Sequence, residues 1–289
     1  MANIILGFPN RIDSATITGG AWAKGLPVTN LQERVLSQVA RTVDLAPASA
    51  TFTLDLGNPR AIRILALINH TITLSGRLRI EASMQADFAD RALDITVDAW
   101  GGLAKVVWDI ASLEWEGSNY WLGGYTQEDI ESQTAISSHV LERAIVATHW
   151  RVTVIDPDNP AGYIQIGRVF VGDGFVDPDV NYDYGASLGY EDLTGVDTAL
   201  SGTEYFDVRE PVRVMRFQLS RLSHDEGFAK ALELTRRAGV HREIFVVADP
   251  DDGQFGAQRN FMGRLRQLSP LEQAVYAHTS MSFEIKELR

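Results

Sequence analysis

The hydrophobic pattern is clearest near the end of the chain, where it predicts one helix between strands. From Ser223 to Ala238, apolar residues recur every three or four positions and charged residues fall on the opposite side. Ser223 and Glu226 have the spacing of a capping box, and Gly239 follows where a left-handed residue commonly ends a helix. The pattern therefore predicts a helix over residues 224–238. Its buried face is expected to consist of Phe228, Ala231, Leu232, Thr235 and Ala238.

Earlier stretches of the chain have the patterns of β-strands. Residues 51–56 alternate between apolar and polar positions, and residues 61–69 are almost continuously apolar, with Arg63 as the exception. A short apolar run of this kind is typical of a buried sandwich strand. Residues 78–82 and 149–155 add two further strand patterns. We therefore expect the first part of the chain to be mainly β.

The charge is distributed unevenly along the chain. The 289 residues carry a formal net charge of −12. Residues 206–289 contain 13 basic and 12 acidic residues, so the excess negative charge precedes them. Residues 173–205 contain eight acidic residues and no lysine or arginine. Because general affinity for nucleic acid depends on basic side chains, this distribution argues against a nucleic-acid partner.

Other features of the composition exclude further classes of site. The chain has no cysteine, which excludes disulfides, thiolate metal sites and cysteine nucleophiles. No apolar run approaches the ~20 residues that a membrane-spanning helix needs. Residues 1–9 lack the basic leader and long apolar stretch of a signal peptide. We therefore expect a protein without a membrane span that is made in a reducing cytoplasm.

Three local patterns could carry chemistry, and each also has a simpler interpretation. Residues 185–189 match the Gly-x-Ser-x-Gly pattern of serine hydrolases, but that motif needs a buried strand before it and a helix after it. Glu114 and Glu116 could form a glycosidase pair, although on a strand both would point the same way. The acidic positions of residues 173–183 could bind calcium or form a solvated turn. We predict that the protein is not an enzyme, assign no catalytic residue, cofactor or metal site, and leave calcium binding open.

Aromatic residues are concentrated between residues 100 and 125, where glycines separate them. Tryptophan and tyrosine rings can stack on sugar rings, and they also fill the ends of β-sandwiches. The second interpretation is the simpler one, and both stay open at this point. The candidate glycan-binding residues are Trp100, Trp115, Tyr120, Trp121 and Tyr125.

Residues 51–83 resemble the first half of a discoidin-like, or galactose-binding-like, jelly-roll domain. The segments that carry the resemblance are TFTLDLG, IRILALINH and RLRIEAS. Residues 150–172, with the sequence WRVTVIDPDNPAGYIQIGRVFVG, resemble the closing half of such a domain. The resemblance covers about residues 40–172 and implies a jelly-roll sandwich, without the disulfide of that family. It implies the fold more strongly than it implies ligand binding.

The C-terminal segments resemble the ring-forming domains of distal tail and other baseplate proteins of long-tailed bacteriophages. The series that carries this resemblance is VRVMRFQLSRLS, the capped helix, GVHREIFVVADPDD, RNFMGRLRQLS and TSMSFEIKEL. It implies a β-sandwich flanked by a helix, copies joined edge to edge in a hexameric ring, and tail-tube and tail-hub proteins as partners. The candidate assembly residues, expected in the strand before the helix, are Arg209, Arg213, Arg216 and Arg221.

Together these observations predict a mainly β chain in three parts. Residues 1–175 form a galactose-binding-like jelly-roll domain with an N-terminal extension, residues 176–205 an acidic linker, and residues 206–289 a ring-forming β-sandwich with one flanking α-helix. The predicted function is that of a structural virion protein, a distal tail or baseplate ring subunit that joins the tail tube to the tail tip. It would lie in the tail tip of the virion, and in the host cytoplasm during assembly. The alternative is a carbohydrate-binding module that attaches to a host-surface glycan.

Overall fold

The computed structural model describes residues 2–101, 134–252 and 255–289, with the backbone alone at residue 274. In this part of the chain the fold is mainly β, which confirms the predicted class. Two large antiparallel sheets and one small two-stranded sheet contain the strands. Two short 3-10 helices, Arg11–Ser14 and Val28–Gln32, precede most of the strands, and a four-residue helix, Gly256–Arg259, lies near the end.

The first large sheet has seven strands, all from the first part of the chain. Its strands are β2 (Thr16–Thr18), β3 (Ala40–Arg41), β4 (Thr51–His70), β5 (Arg77–Ser83), β6 (Arg91–Asp98), β7 (Ile136–Ile155) and β8 (Gln165–Gly172). They lie in the order β3-β8-β4-β7-β5-β6, and β2 pairs with β4. Strands β4 and β7 are 20 residues long and pair along most of their length, with two breaks in register. The first half of β4 also pairs with β2, and its second half pairs with β8.

The second large sheet combines the C-terminal strands with a strand from the start of the chain. Its strands are β1 (Ile5–Gly7), β9 (Gly174–Val176), β10 (Ser187–Glu191), β13 (Val212–Leu222), β14 (Ile244–Val247), β15 (Phe261–Leu265), β16 (Glu272–Val275) and β17 (His278–Glu287). They lie in the order β10-β13-β17-β15-β14-β1-β9, with β16 on β17. The small third sheet pairs β11 (Gly195–Thr198) with β12 (Glu204–Asp207).

The sheets do not follow the predicted division of the chain in two places. Strand β1 lies between β14 and β9, so the first residues belong to the C-terminal sheet. The segment predicted as an acidic linker contains β10, which is an edge strand of that sheet, and β11. Sequence distance hides both pairings, because β1 and β14 are separated by more than 230 residues.

Strand β4 is buried on both faces, and each face belongs to a different hydrophobic core. Ile64, Ala66 and Ile68 are part of the core beneath the second sheet. Leu65 and Leu67, which alternate with them, are part of the core of the first sheet. This two-sided burial explains the nearly continuous apolar run in the sequence, since successive strand residues point to opposite faces.

Strand β8 repeats this arrangement beside β4. Phe170 belongs to the core beneath the second sheet, whereas Val169 and Val171 belong to the core of the first. The ring of Phe170 stacks on Phe245 of β14, with ring centroids 5.3 Å apart. Strands β4 and β8 are therefore a layer that the two cores share. The core beneath the second sheet therefore combines residues of both parts of the chain, whereas the buried residues of the first sheet's core all lie between Ile12 and Val171.

The capped helix is present at the predicted position. It consists of a π-helical part, Asp225–Leu232, followed by an α-helical part, Glu233–Ala238. The backbone N–H of Ser223 donates to Oε2 of Glu226 at 2.8 Å, and the backbone N–H of Glu226 donates to Oγ of Ser223 at 3.3 Å. Gly239 ends the helix with φ +53°. The capping box is therefore confirmed.

The buried face of the helix differs from the predicted one. Phe228 is 52% exposed, and Leu232 is exposed as well. A π-helix is wider than an α-helix and bonds each N–H to the carbonyl five residues back, so the α-helical spacing fails in the first half. Gly227 takes the buried position there, where a Cβ would lie only 2.1 Å from Oγ1 of Thr279. The helix thus packs closely on β17 and leaves Phe228 outside.

Candidate assembly surface

A β-hairpin projects from one edge of the second sheet. Strands β10 and β13 pair at this edge, and the chain between them continues outward as β11 and β12. The register shifts by one residue between the two parts. The hydroxyl of Thr194 bridges the break, since it accepts from the backbone N–H of Arg209 at 3.1 Å. We call residues 192–210 the arm.

The arm exposes large apolar side chains to solvent. All eight residues of β11 and β12 are exposed. Val196 and Phe206 are cross-strand neighbours on one face, and they are 53% and 59% exposed. Tyr205 lies on the other face beside Asp197, and Leu200 at the tip is fully exposed. Isolated two-stranded hairpins are at best marginally stable in water, and the arm presents apolar side chains that no described residue covers.

The arm is also strongly acidic. It contains five carboxylates and one arginine, Arg209. Arg209 lies in the arm and not, as predicted, in the strand before the helix, and its guanidinium pairs with Asp207 at 3.1 Å. The arm therefore combines an apolar face with a net negative charge. The carboxylates are those of Asp192, Asp197, Glu204, Asp207 and Glu210.

Arg213 is buried and bonded within the chain, so its prediction as an assembly residue at the surface is wrong. It is only 3% exposed. Its Nε donates to Oε2 of Glu287 at 3.0 Å, and its Nη1 donates to the backbone carbonyls of Ala257, Gln258 and Asn260. Because these internal acceptors bury the guanidinium, it cannot contact a neighbouring molecule. A strand that alternates polar and apolar residues does not reveal which arginine is the buried one.

The two remaining arginines of the predicted surface are exposed on β13. Arg216 donates to Oε1 of Glu284 at 2.9 Å, and Glu284 also accepts from Arg266 at 3.1 Å. Arg221 makes no ion pair with any described residue, and its side chain is exposed. Arg216 and Arg221 are thus accessible to a neighbouring molecule, and their role in assembly stays a prediction.

Trp100 is a core residue in this structure. It is 7% exposed, its Nε1–H donates to the carbonyl of Ile72 at 2.9 Å, and its ring meets the edge of His70 at a centroid distance of 5.0 Å. Burial lowers the pKa of His70 to about 3, so this histidine is neutral at physiological pH. The face of Trp100 is therefore not presented for stacking. The other glycan-binding candidates, Trp115, Tyr120, Trp121 and Tyr125, lie outside the described residues.

The serine pattern at residues 185–189 does not adopt the geometry of a nucleophile elbow. Ser187 opens the exposed edge strand β10, and the chain continues as strand to Glu191 without a following helix. Glu114 and Glu116 lie outside the described residues. Within those residues, no group of three or more histidine, aspartate or glutamate side chains is arranged to hold a metal ion. No helix in the described part of the chain is long and apolar enough to cross a membrane.

The arm is the surface that sequence reasoning missed. Its acidic, glycine-containing sequence resembles a linker, and its strands are only four residues long. One signal was available, because apolar residues flank Ser201 and Gly202 at Val196 and Phe206, as in a hairpin. The five acidic residues of the arm obscure that signal, because a run of carboxylates is also typical of a solvated linker.

Comparison with known proteins gives matches among solved structures. No protein-family model and no curated protein matches the chain. The chain is similar to the family 32 carbohydrate-binding module of Clostridium perfringens NanJ in complex with galactose, with 12% identity over 58% of this chain and 98% of that chain, and a TM-score of 0.36. It is also similar to the lectin domain of lectinolysin complexed with Lewis B antigen, with 12% identity, 58% and 98% coverage and a TM-score of 0.37. For chitosan-binding module 1 of a Paenibacillus sp. IK-5 chitosanase/glucanase, the identity is 13%, the coverage 57% and 98%, and the TM-score 0.36.

Proposed function

We propose that the protein is a structural subunit of a phage tail that assembles with copies of itself through the arm. The observation that carries assembly is the exposure of Val196, Phe206 and Leu200 on a two-stranded hairpin. Such a hairpin gains little from its own pairing, and burial of its apolar side chains against a neighbour would stabilise it. The place in a distal tail or baseplate ring rests on the resemblance of residues 206–289 to ring-forming domains.

The partner that best fits the arm is a second copy of the chain. The arm carries five carboxylates and one arginine, whereas residues 206–289 as a whole carry slightly more basic than acidic residues. Arg221 and Arg216 are exposed on that C-terminal part. An arm that docks on a different surface of the next copy makes a head-to-tail contact, and such contacts close into a ring when the rotation between copies permits it. Tail-tube and tail-hub proteins would be the further partners.

The test is the mass of the assembly with and without the apolar face of the arm. We expect wild-type protein to form oligomers by mass photometry, and the Val196→Ser/Phe206→Ser variant to shift toward monomer. Val35→Ser/Val146→Ser is the matched control, because these two valines are exposed to a similar degree elsewhere. The control should keep the wild-type mass. Equal masses for the arm variant and the wild type would contradict assembly through the arm.

A carbohydrate-binding module is the second candidate, and one observation favours it. Six tryptophan and tyrosine residues lie between residues 100 and 125, separated by glycines, and such rings provide stacking surfaces for sugars. A glycan array with the Trp115→Ala/Trp121→Ala variant tests this function. Tyr276→Ala, which removes an exposed aromatic ring elsewhere, is the control. Binding that the tryptophan variant loses and the control keeps would support the module, and equal binding by both would exclude these rings.

A further inference from the structure

A basic cleft lies where the start of the chain, the end of the capped helix and the approach to β14 meet. Its volume is about 320 Å³, which is within the range of ligand clefts. We call it the seam cleft. Its charged lining consists of four arginines and two carboxylates: Arg11, Arg34, Arg237, Arg242, Asp13 and Glu243.

The two carboxylates of the seam cleft are already paired. Buried Arg168 donates through Nη2 to Oδ1 of Asp13 at 2.5 Å and to Oε2 of Glu243 at 2.8 Å. Arg34 lies 3.6 Å from the other oxygen of Asp13 and 3.8 Å from the other oxygen of Glu243. Two arginines thus balance the two carboxylates. The charge of the other arginines around the cleft is not compensated by these acids.

Three cleft arginines make no ion pair with a described residue: Arg11, Arg237 and Arg242. The guanidinium of Arg237 lies over the rings of Phe8 and Phe175, at 5.4 and 5.5 Å from their centroids. The Nε of Arg11 is buried and has no hydrogen-bond partner.

The electrostatic environment of Arg11 agrees with an excess of positive charge. Burial, and then the charges of Arg60 and Arg237, lower the pKa of Arg11, while Asp173 opposes the shift. Since these neighbours disfavour the charged form of Arg11, an anion bound beside them would favour it. The cleft therefore has three arginines without an ion pair to a described residue and a positive field around Arg11.

We propose that the seam cleft binds a phosphate-class oxyanion through Arg11, Arg237 and Arg242. Guanidinium groups present planar sets of N–H donors that match phosphate oxygens, and such charge-assisted bonds are stronger than neutral ones. The volume exceeds that of several water molecules, each of which occupies about 30 Å³ in the liquid, so a phosphate group fits. This site is independent of assembly through the arm. The phosphate group could belong to the free ion or to a phosphodiester of a larger molecule.

Isothermal titration calorimetry with inorganic phosphate and with dimethyl phosphate tests the proposal and distinguishes the two sources. Sodium chloride at matched ionic strength controls for general screening. We expect saturable binding of at least one probe to the wild type. The dissociation constants of Arg11→Gln and of Arg242→Gln should be at least about tenfold higher than that of the wild type. Binding of dimethyl phosphate points to a phosphodiester ligand, and binding of inorganic phosphate alone points to the free ion.

The matched control is Arg236→Gln on the capped helix, next to Arg237 of the cleft. Arg236 is exposed and paired with Glu233 at 2.6 Å, away from the cleft lining, so this variant should bind like the wild type. Circular dichroism establishes that each variant is folded. Because Arg242 is exposed, Arg242→Gln should leave the fold unchanged. The Val196→Ser/Phe206→Ser variant should bind the probe with unchanged affinity, whatever its mass. No saturable binding by the wild type, or equal affinity in all variants, would overturn the proposal.

Discussion

Replacement of Arg168 by methionine is expected to destabilise the fold strongly, because its buried guanidinium pairs with both carboxylates of the seam cleft, Asp13 and Glu243. The side chain of Arg168 is fully buried, and that of Glu243 is nearly so. Besides the bonds to Asp13 and Glu243, its Nη1 donates to the backbone carbonyl of Gln32. One side chain thus joins β8, the N-terminal segment and the residue that precedes β14.

The expected loss follows from what the substitution leaves behind. Methionine fills much of the volume but leaves Glu243 as a buried carboxylate with only Asn10 and distant Arg34 as partners. Removal of one partner from a buried ion pair typically costs about 3–5 kcal/mol. The upper half of this range applies, since the carbonyl of Gln32 also loses its donor. Such a loss is a large fraction of the ~5–15 kcal/mol that stabilises a typical domain.

Urea unfolding followed by tryptophan fluorescence and circular dichroism measures the effect. The control is Arg77→Met, which removes an exposed pair with Asp98 at 3.5 Å on a strand and should cost about 1 kcal/mol or less. The double variant Arg168→Met/Glu243→Leu removes both charges, and we expect it to be about 1–3 kcal/mol more stable than additivity of the single variants allows. A loss for Arg168→Met no larger than the control's, or strict additivity in the cycle, would refute the reasoning.

Three further outcomes follow from the fold. Phe170→Ala removes the ring that stacks on Phe245 and should lower the free energy of unfolding by about 3–5 kcal/mol. The unfolding transitions followed by fluorescence and by circular dichroism should still coincide, and separate transitions would contradict a layer shared by the two cores. Ser223→Ala removes the hydroxyl of the capping box and should cost about 0.5–2 kcal/mol in urea unfolding, against no loss for Ser201→Ala in the arm. His70 accepts from the backbone N–H of Ile72 and has a folded pKa of about 3, below its unfolded value. Stability should therefore fall by up to about 1.4 kcal/mol per pH unit from this group as the pH drops from ~6.5 toward 3, and His70→Asn should flatten that slope.

Much of the secondary structure follows from local pattern. The apolar run in β4 indicates burial on both faces, and in the structure Ile64 packs in one core and Leu65 in the other. The pair of Ser223 and Glu226 sets the start of the helix, because a capping box depends only on neighbouring residues. The π-helical winding of the first half of the helix does not follow from neighbouring residues, because the close contact of Gly227 with Thr279 comes from the tertiary fold.

The parts that sequence did not reveal depend on distant contacts. Strand β1 joins the C-terminal sheet through pairing with β14, and three apolar residues give no hint of that partner. The burial of Arg213 and Arg168 depends on Glu287 and Glu243, which lie 74 and 75 residues away. Local periodicity cannot distinguish a buried, paired arginine from an exposed one. The burial of these two arginines is therefore visible only in the folded chain.

Photo-crosslinking from position 206 tests assembly through the arm most directly. Phe206 is replaced by a photoreactive phenylalanine analogue, and the purified protein is irradiated and separated on a denaturing gel. The expected result is a ladder of crosslinked copies that ends at the number of subunits in the ring, with no ladder when the analogue is placed at Val146. Monomer alone from position 206, at concentrations where mass photometry detects oligomers, would contradict assembly through the arm.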